Sequence, residues 1–172
     1  GSEIDYRSNT TDYAVGLGYG SFARDANNAI GVGRAFYLNT ADNAIAIGAY
    51  DTVTANFGMA IGYDAASTAE YSSAFGYQSS VGGENSMAFG HGAIIPSGIS
   101  NAIAFGSNTN VSGNNSIAIG YGTSVAEDNT VIIGNAQTQS IGGYVNWTAT
   151  SDGRFKTNVQ PNVPGLDFIN AL

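Results

Sequence analysis

His91 is the only histidine in this chain of 172 residues, and it is where general acid–base or metal chemistry near neutral pH would be sought first. It stands beside Gly90, so a turn residue is the plainer reading. There is no cysteine, which excludes disulfides and thiolate metal sites. Neither a metal nor a cofactor is expected. Near the C-terminal end, Ser151-Asp152-Gly153 reads on its own as a turn and Lys156 as a solvated charge. A further set is aromatic. Tyr19, Tyr50, Tyr63, Tyr77 and Tyr121 each follow a glycine by one or two residues, so on a regular coil they would form a ladder along one outer edge. Packing over turns accounts for such a ladder, and a carbohydrate- or protein-binding stripe is the functional alternative, because aromatic faces are common contact surfaces.

The elements that position these groups are set by a repeat. A glycine closes a short apolar run at positions 18, 33, 48, 62, 76, 90, 106, 120 and 134, with spacings of 15, 15, 14, 14, 14, 16, 14 and 14. Before the glycine stand Leu17, Val32, Ile47, Ile61, Phe75, Phe89, Phe105, Ile119 and Ile133, and two positions earlier a second row that is mostly large. Between them runs a small row: Gly16, Gly31, Ala46, Ala60, Ala74, Ala88, Ala104 and Ala118. This alternation has period two, and a glycine in every unit would weaken a helix, so each run predicts a strand with its large residues on one face and its small ones on the other. Asn28, Asn43, Asn85, Asn101, Asn115 and Asn129 each precede their glycine by five residues and predict turn corners, because asparagine tolerates left-handed backbone. Such a unit holds two short strands and two turns, one coil of a parallel solenoid. At about 4.8 Å per coil, nine coils would run roughly 40 Å.

We expect the large row to pack inward against Val53, Val81, Ile95, Val111 and Val125, five residues after their glycines. The small face then points outward, where another backbone can approach closely, and side-by-side chains follow, most simply a parallel homotrimer. The longer units predict loop bulges, notably at Ile94-Ile95-Pro96-Ser97-Gly98. Asp25, Asp42, Asp51, Asp64 and Asp128 are expected to share no repeat position, which argues against a calcium ladder. Thr52-Val53-Thr54 occurs once, so no iterated ice-binding row is present.

Composition narrows the partners. The net charge is −8, and up to Thr150 the only bases are Arg7, Arg24 and Arg34. Nucleic-acid binding needs a cationic surface to release phosphate counterions, and anionic lipid heads need the same attraction. Both are excluded, and no apolar run approaches the ~20 residues of a membrane-spanning helix. The leading Gly1-Ser2 reads as an expression-tag scar, so export signals at a native N-terminus cannot be judged.

The units NSMAFG (85–90), NAIAFG (101–106) and NSIAIG (115–120) resemble the head repeats of trimeric autotransporter adhesins of the YadA type. The resemblance spans residues 13–141 and implies a homotrimeric, left-handed parallel β-roll. Residues 1–12 are then a lead-in and 142–150 a neck, with strand-like residues in GGYVNW (142–147). After it, SDGRFKTNV (151–159) resembles the opening of the peptidase S74 domain, the C-terminal intramolecular chaperone of phage tail fibres and tailspikes. Ser151, Asp152, Arg154, Phe155 and Lys156 fit that signature. Residues 151–172 would be the truncated start of that domain. The resemblance implies self-cleavage by a serine–lysine dyad, with Ser151 as nucleophile and Lys156 as its base. A lysine can take that proton only where burial lowers its pKa, which a folded chaperone trimer would supply.

The expected function is therefore a structural and adhesive trimeric segment of a viral tail fibre, contacting a host receptor that could be a carbohydrate. The alternative is the head of a bacterial surface adhesin. Hexapeptide-repeat acyltransferases are also trimeric solenoids with a catalytic histidine, but their coils take about eighteen residues, so a catalytic His91 is not favoured.

Overall fold

The computed structural model describes residues 4–6 and 14–144. The chain divides into Gly1–Gln139 and Ser140–Leu172. In the first unit, eighteen strands lie in two parallel nine-stranded sheets, and no helix occurs among the described residues. The first sheet holds β2 (Val15–Tyr19), β4 (Ile30–Arg34), β6 (Ile45–Ala49), β8 (Met59–Tyr63), β10 (Ser73–Tyr77), β12 (Met87–Phe89), β14 (Ile103–Phe105), β16 (Ile117–Ile119) and β18 (Val131–Ile133). The second holds β1 (Ile4–Tyr6), β3 (Ser21–Arg24), β5 (Tyr37–Asn39), β7 (Thr52–Val53), β9 (Ala66–Ser67), β11 (Ser80–Val81), β13 (Ile94–Ile95), β15 (Asn110–Val111) and β17 (Ser124–Val125). The chain alternates between the sheets, making eight complete coils from β2/β3 to β16/β17, with β1 and β18 as half coils at the ends. β1 lies within the expected lead-in, where Ile4-Asp5-Tyr6 already alternates apolar and polar.

Register follows the glycine spacing. Ile45 pairs with Met59 and Ser73 with Met87, one unit apart, while Met87 pairs with Ile103 across the longest unit. The two extra residues of that unit fall between Ile95 and Ile103, where Ser97-Gly98 forms a turn with Gly98 at φ +83°. The bulge was expected at this place.

The corners are left-handed. All six expected asparagines have φ between 52 and 57°. Two corners are filled otherwise, by Phe57 and Tyr71, both at φ 56°. The opposite corner, two residues after eight of the nine glycines, is also left-handed, at Gly20, Ala35, Tyr50, Asp64, Gln78, Gly92, Asn108 and Gly122. In two of the longer coils an added left-handed residue, Asp25 or Thr40, takes up the extra length.

One expectation is reversed. The sheets separate large from small side chains as the alternation predicts, but the small row faces inward. Ala46, Ala60, Ala74, Ala88, Ala104 and Ala118 are wholly buried against Leu38, Val53, Val81, Ile95, Val111 and Val125. The large rows point outward: Leu17, Phe89, Phe105 and Val131 are each about half exposed, at 60, 48, 50 and 58%. A coil of some fourteen residues encloses too thin an interior for two large rows, and close packing admits alanine opposite valine. Where the interior row falls to glycine, the facing residue grows. Buried Phe36 fills the space beside Gly31, where a Cβ would strike its ring.

Of the second unit, Ser140–Tyr144 are described, and they form no strand. The strand character expected for GGYVNW is thus absent over residues 142–144. Val145–Trp147 lie outside the described residues, as do Ser151 and Lys156.

Candidate functional site

Two surfaces of the roll could meet a partner. The first is the outer face of the even-numbered sheet. Each of its strands puts two side chains outward, and nearly all are large and apolar from Val15 to Ile133. At its centre the rings of Phe75, Phe89 and Phe105 form a ladder, with centroids 5.8 and 5.2 Å apart. A continuous apolar face of this extent marks an interaction surface in water.

The second is the edge just past the glycines. Tyr50, Tyr63, Tyr77 and His91 form one run, with successive centroids at 5.3, 5.2 and 5.2 Å. The Arg34 guanidinium lies over Tyr50 at 5.5 Å, within cation–π range. Three of the five stripe tyrosines are thus brought together. Tyr19 sits one coil before Arg34, paired with it in register, and Tyr121 sits two coils beyond His91. Both are about two-thirds exposed, at 65 and 67%. Tyr63 and Tyr77 lie nearly parallel, 7° apart, so their faces are largely spent on each other and they present edges and hydroxyls outward.

His91 was not foreseen as a member of this ladder, although it occupies the same position after its glycine as Tyr63 and Tyr77. Its ring stacks on Tyr77, and its Nδ1 lies 3.4 Å from the hydroxyl of Ser107 in the next coil. The side chain is exposed, and its two ring neighbours are aromatic and hydroxylic. Among the described residues, no carboxylate is hydrogen-bonded to it to orient it for proton transfer.

The aspartates also need correction. Asp42 and Asp128 do share a position, six residues before the glycine, with Asn27, Asn56 and Asn114. The side chains of Asp42, Asn56, Asn114 and Asp128 each cap the coil before: their Oδ1 atoms accept from the amides of Asn27, Asp42, Ser100 and Asn114. The row is a hydrogen-bond ladder, and its mixture of Asp with Asn hid it in the sequence. Among the described residues, no three His, Asp or Glu side chains gather as a metal site.

Asp51 stands apart because it is buried. Its carboxylate accepts the amide of Ala65 at 2.9 Å and that of Gly62 at 3.2 Å. Burial pushes its pKa above the ordinary 3.8; the Ala65 and Gly62 amides pull it down, and the charge of Asp64 adds to the rise. A raised folded-state pKa gives stability that is complete below the unfolded value and is lost as pH climbs through the folded one. Chemical denaturation of wild type and Asp51→Asn across this range should therefore show wild type losing ground to the variant as pH rises from about 3 towards neutrality. A difference that stays constant, or grows in favour of wild type, would contradict the burial-driven shift.

Residues 54–79, 67–93 and 100–123 match the YadA head domain repeat. Over those residues, fewer than half of the chain, the sequence is similar to that repeat. The matched segments begin just past β7, end at the β16–β17 corner and leave out residues 94–99, where the two-residue insertion begins. The crystal structure of the collagen-binding domain of the Yersinia adhesin YadA has the same fold, with a TM-score of 0.57 and 23% identity over 94% of this chain and 76% of that one. No curated protein matches the sequence.

Proposed function

We propose that the chain is the adhesive and structural head of a homotrimeric surface fibre. The apolar outer face of the even-numbered sheet carries this reading. Burying a half-exposed Leu, Ile or Phe contributes on the order of 1 kcal/mol, and the face offers about two such side chains per coil. Three copies of this chain, placed side by side with equivalent coils level, would bury that face in a common centre and leave the edges and the odd-numbered sheet for contact with a host. The YadA-type repeats and the shared roll support the same arrangement, and the likeness to a collagen-binding domain makes collagen one class of receptor. The tyrosine stripe of Tyr19, Tyr50, Tyr63, Tyr77 and Tyr121 is the contact surface of this reading, through ring edges and hydroxyls.

Two settings fit. The phrase SDGRFKTNV favours a viral tail fibre whose chaperone, begun at residue 151, is released after assembly by Ser151 with Lys156 as base. The head repeats by themselves favour the surface of a bacterium. A precursor extending through the whole chaperone distinguishes them. In the viral setting it should yield two fragments separated beside Ser151 on a denaturing gel, and Ser151→Ala should stay intact. Equal, uncleaved bands from both would remove the viral reading. In either setting the purified head should bind cells of the natural host, and Tyr63→Ala/Tyr77→Ala should weaken that binding. Undiminished binding would take the stripe out of the contact.

A further inference from the structure

Two coils carry aromatic residues at both ends of their even-numbered strand. Phe57 stands at the left-handed corner that leads into β8, and Tyr63 closes β8. Tyr71 stands at the corner that leads into β10, and Tyr77 closes β10. The sequence makes the same pairing around Gly18, with Tyr13 five residues before it and Tyr19 one after. Every unit with an aromatic residue at the entry position therefore has a tyrosine directly after its glycine. Of the six units that enter on asparagine, only the one with Tyr121 does.

The two rings of a unit are too far apart to touch within one chain. They stand at opposite ends of a five-residue strand, on the order of 15 Å apart. Within the roll each ring stacks along its own edge. The Phe57 and Tyr71 rings lie 4.9 Å apart with planes at 7°, and the Tyr63 and Tyr77 rings lie 5.2 Å apart, also at 7°. The roll thus holds a two-ring stack on each edge over the same two coils, and all four residues are 45 to 53% exposed. Left-handed backbone is less favourable for a bulky aromatic residue than for asparagine. Asparagine makes the same turn at six other corners, so the single roll does not require Phe57 and Tyr71 there.

Rotational symmetry relates the two edges. In a trimer with each even-numbered sheet facing a common axis parallel to the roll, the strands run head to tail around that axis. The entry corners of one copy then lie beside the exit corners of the next. With equivalent coils level, Phe57 stands opposite Tyr63 of the next copy, and Tyr71 opposite its Tyr77.

We infer that these rings form an inter-subunit clasp, in which the Phe57–Tyr71 stack of one copy packs against the Tyr63–Tyr77 stack of the next at each of three seams. The ring faces are occupied within each stack, so the seam removes apolar ring edges from water. The clasp also sets the level of the copies. The apolar outer face repeats with every coil, so by itself it barely distinguishes level copies from copies slipped by one coil. A slip would set Phe57 opposite Ala49, or Tyr71 opposite His91, and a slipped head-to-tail contact builds an open screw where the level one closes a ring. Aromatic corners confined to particular coils remove that ambiguity, as a negative-design device should. The inference rests on the homotrimeric reading and deepens it. Each seam opens outward as a groove between two rolls, so a receptor that reaches Tyr63 or Tyr77 there also meets Phe57 and Tyr71 of the neighbouring copy.

The chain contains no cysteine, so introduced cysteine pairs report the seam directly. Phe57→Cys/Tyr63→Cys and Tyr71→Cys/Tyr77→Cys are treated, at native oligomeric mass, with dibromobimane, a short reagent that fluoresces once it has joined two thiols. It takes the place of the two rings removed. Both variants should give a fluorescent band of three linked chains on a denaturing gel. Phe57→Cys/Tyr121→Cys, whose sites are four coils or roughly 19 Å out of level, should run as single chains. Phe57→Asn/Tyr71→Asn installs the residue of the other corners, so the roll should keep its β-type circular dichroism. Its trimer should dissociate at a protein concentration at least about tenfold higher than that of wild type. Should both cysteine pairs run as single chains from an assembled trimer, or should the asparagine variant hold its trimer as tightly as wild type, the inference is overturned and the homotrimeric reading stands. A wild-type chain that sediments at 17.6 kDa would overturn both.

Discussion

Gly48→Ala should unfold the roll or lower its stability by more than about 4 kcal/mol, measured as loss of the cooperative thermal transition. Gly48 has φ 141°, and a Cβ there would be driven into the carbonyl oxygen of Gly62 in the next coil and towards Oδ2 of Asp51. Neither obstacle can retreat easily. The Gly62 carbonyl belongs to the neighbouring coil of the stack, and Gly62 itself faces the carbonyl of Gly76, so a shift in one coil is passed to the next. Asp51 is held by two amides. Gly20→Ala is the comparison that isolates this cause. Gly20 is also left-handed, at φ 63°, but its Cβ would meet nothing within 4 Å. Its cost should be only the backbone term, about 1 kcal/mol. Similar losses at the two positions would show that the close approach of coils at Gly48 is not what requires glycine.

Phe89→Glu should break the assembly without harming the single roll. The Phe89 side chain points away from the roll interior, is 48% exposed, and stacks only on its neighbours in the outer ladder, Phe75 and Phe105. A carboxylate there is hydrated in a lone chain. In a trimer, three of them would be brought together in an apolar centre, where unpaired buried charge costs several kcal/mol each. Sedimentation should then report a species near 17.6 kDa that keeps its β-type circular dichroism. Ser124→Glu, an exposed change on β17 of the opposite sheet, should leave assembly unchanged. Persistence of the full assembly in Phe89→Glu would mean that copies meet through another surface.

What the sequence disclosed and what it hid divide along physical lines. Glycine columns and asparagine corners report backbone conformation, a property of single residues, and they were legible: register, coil length and the bulge near Pro96 follow from counting. The alternation of large and small also gave the two faces of each strand. It could not say which face was inside, because period two is symmetric under that exchange. Interior width decides, and width is set by how tightly Phe36, Val53 and Val111 approach the facing glycine and alanine column. The error was in a volume, not in a pattern. The Tyr63–Tyr77–His91 ladder was half legible, since its tyrosines share a spacing while His91 differs in residue type. The capping row was missed because Asp42, Asn56 and Asn114 do one task with two residue types. Phe57 and Tyr71, like Tyr13, stand at the position that six other units give to asparagine, a substitution that was present in the sequence but unread.

The inversion of the faces strengthens the case for association, since the outward row is made of Leu, Ile and Phe and not of alanine. Sedimentation equilibrium of the purified wild-type chain tests this most directly. Three level copies predict one species at three times 17.6 kDa across the concentration range. A soluble, folded species that stays at 17.6 kDa, with the Phe75–Phe89–Phe105 ladder open to water, would contradict the account.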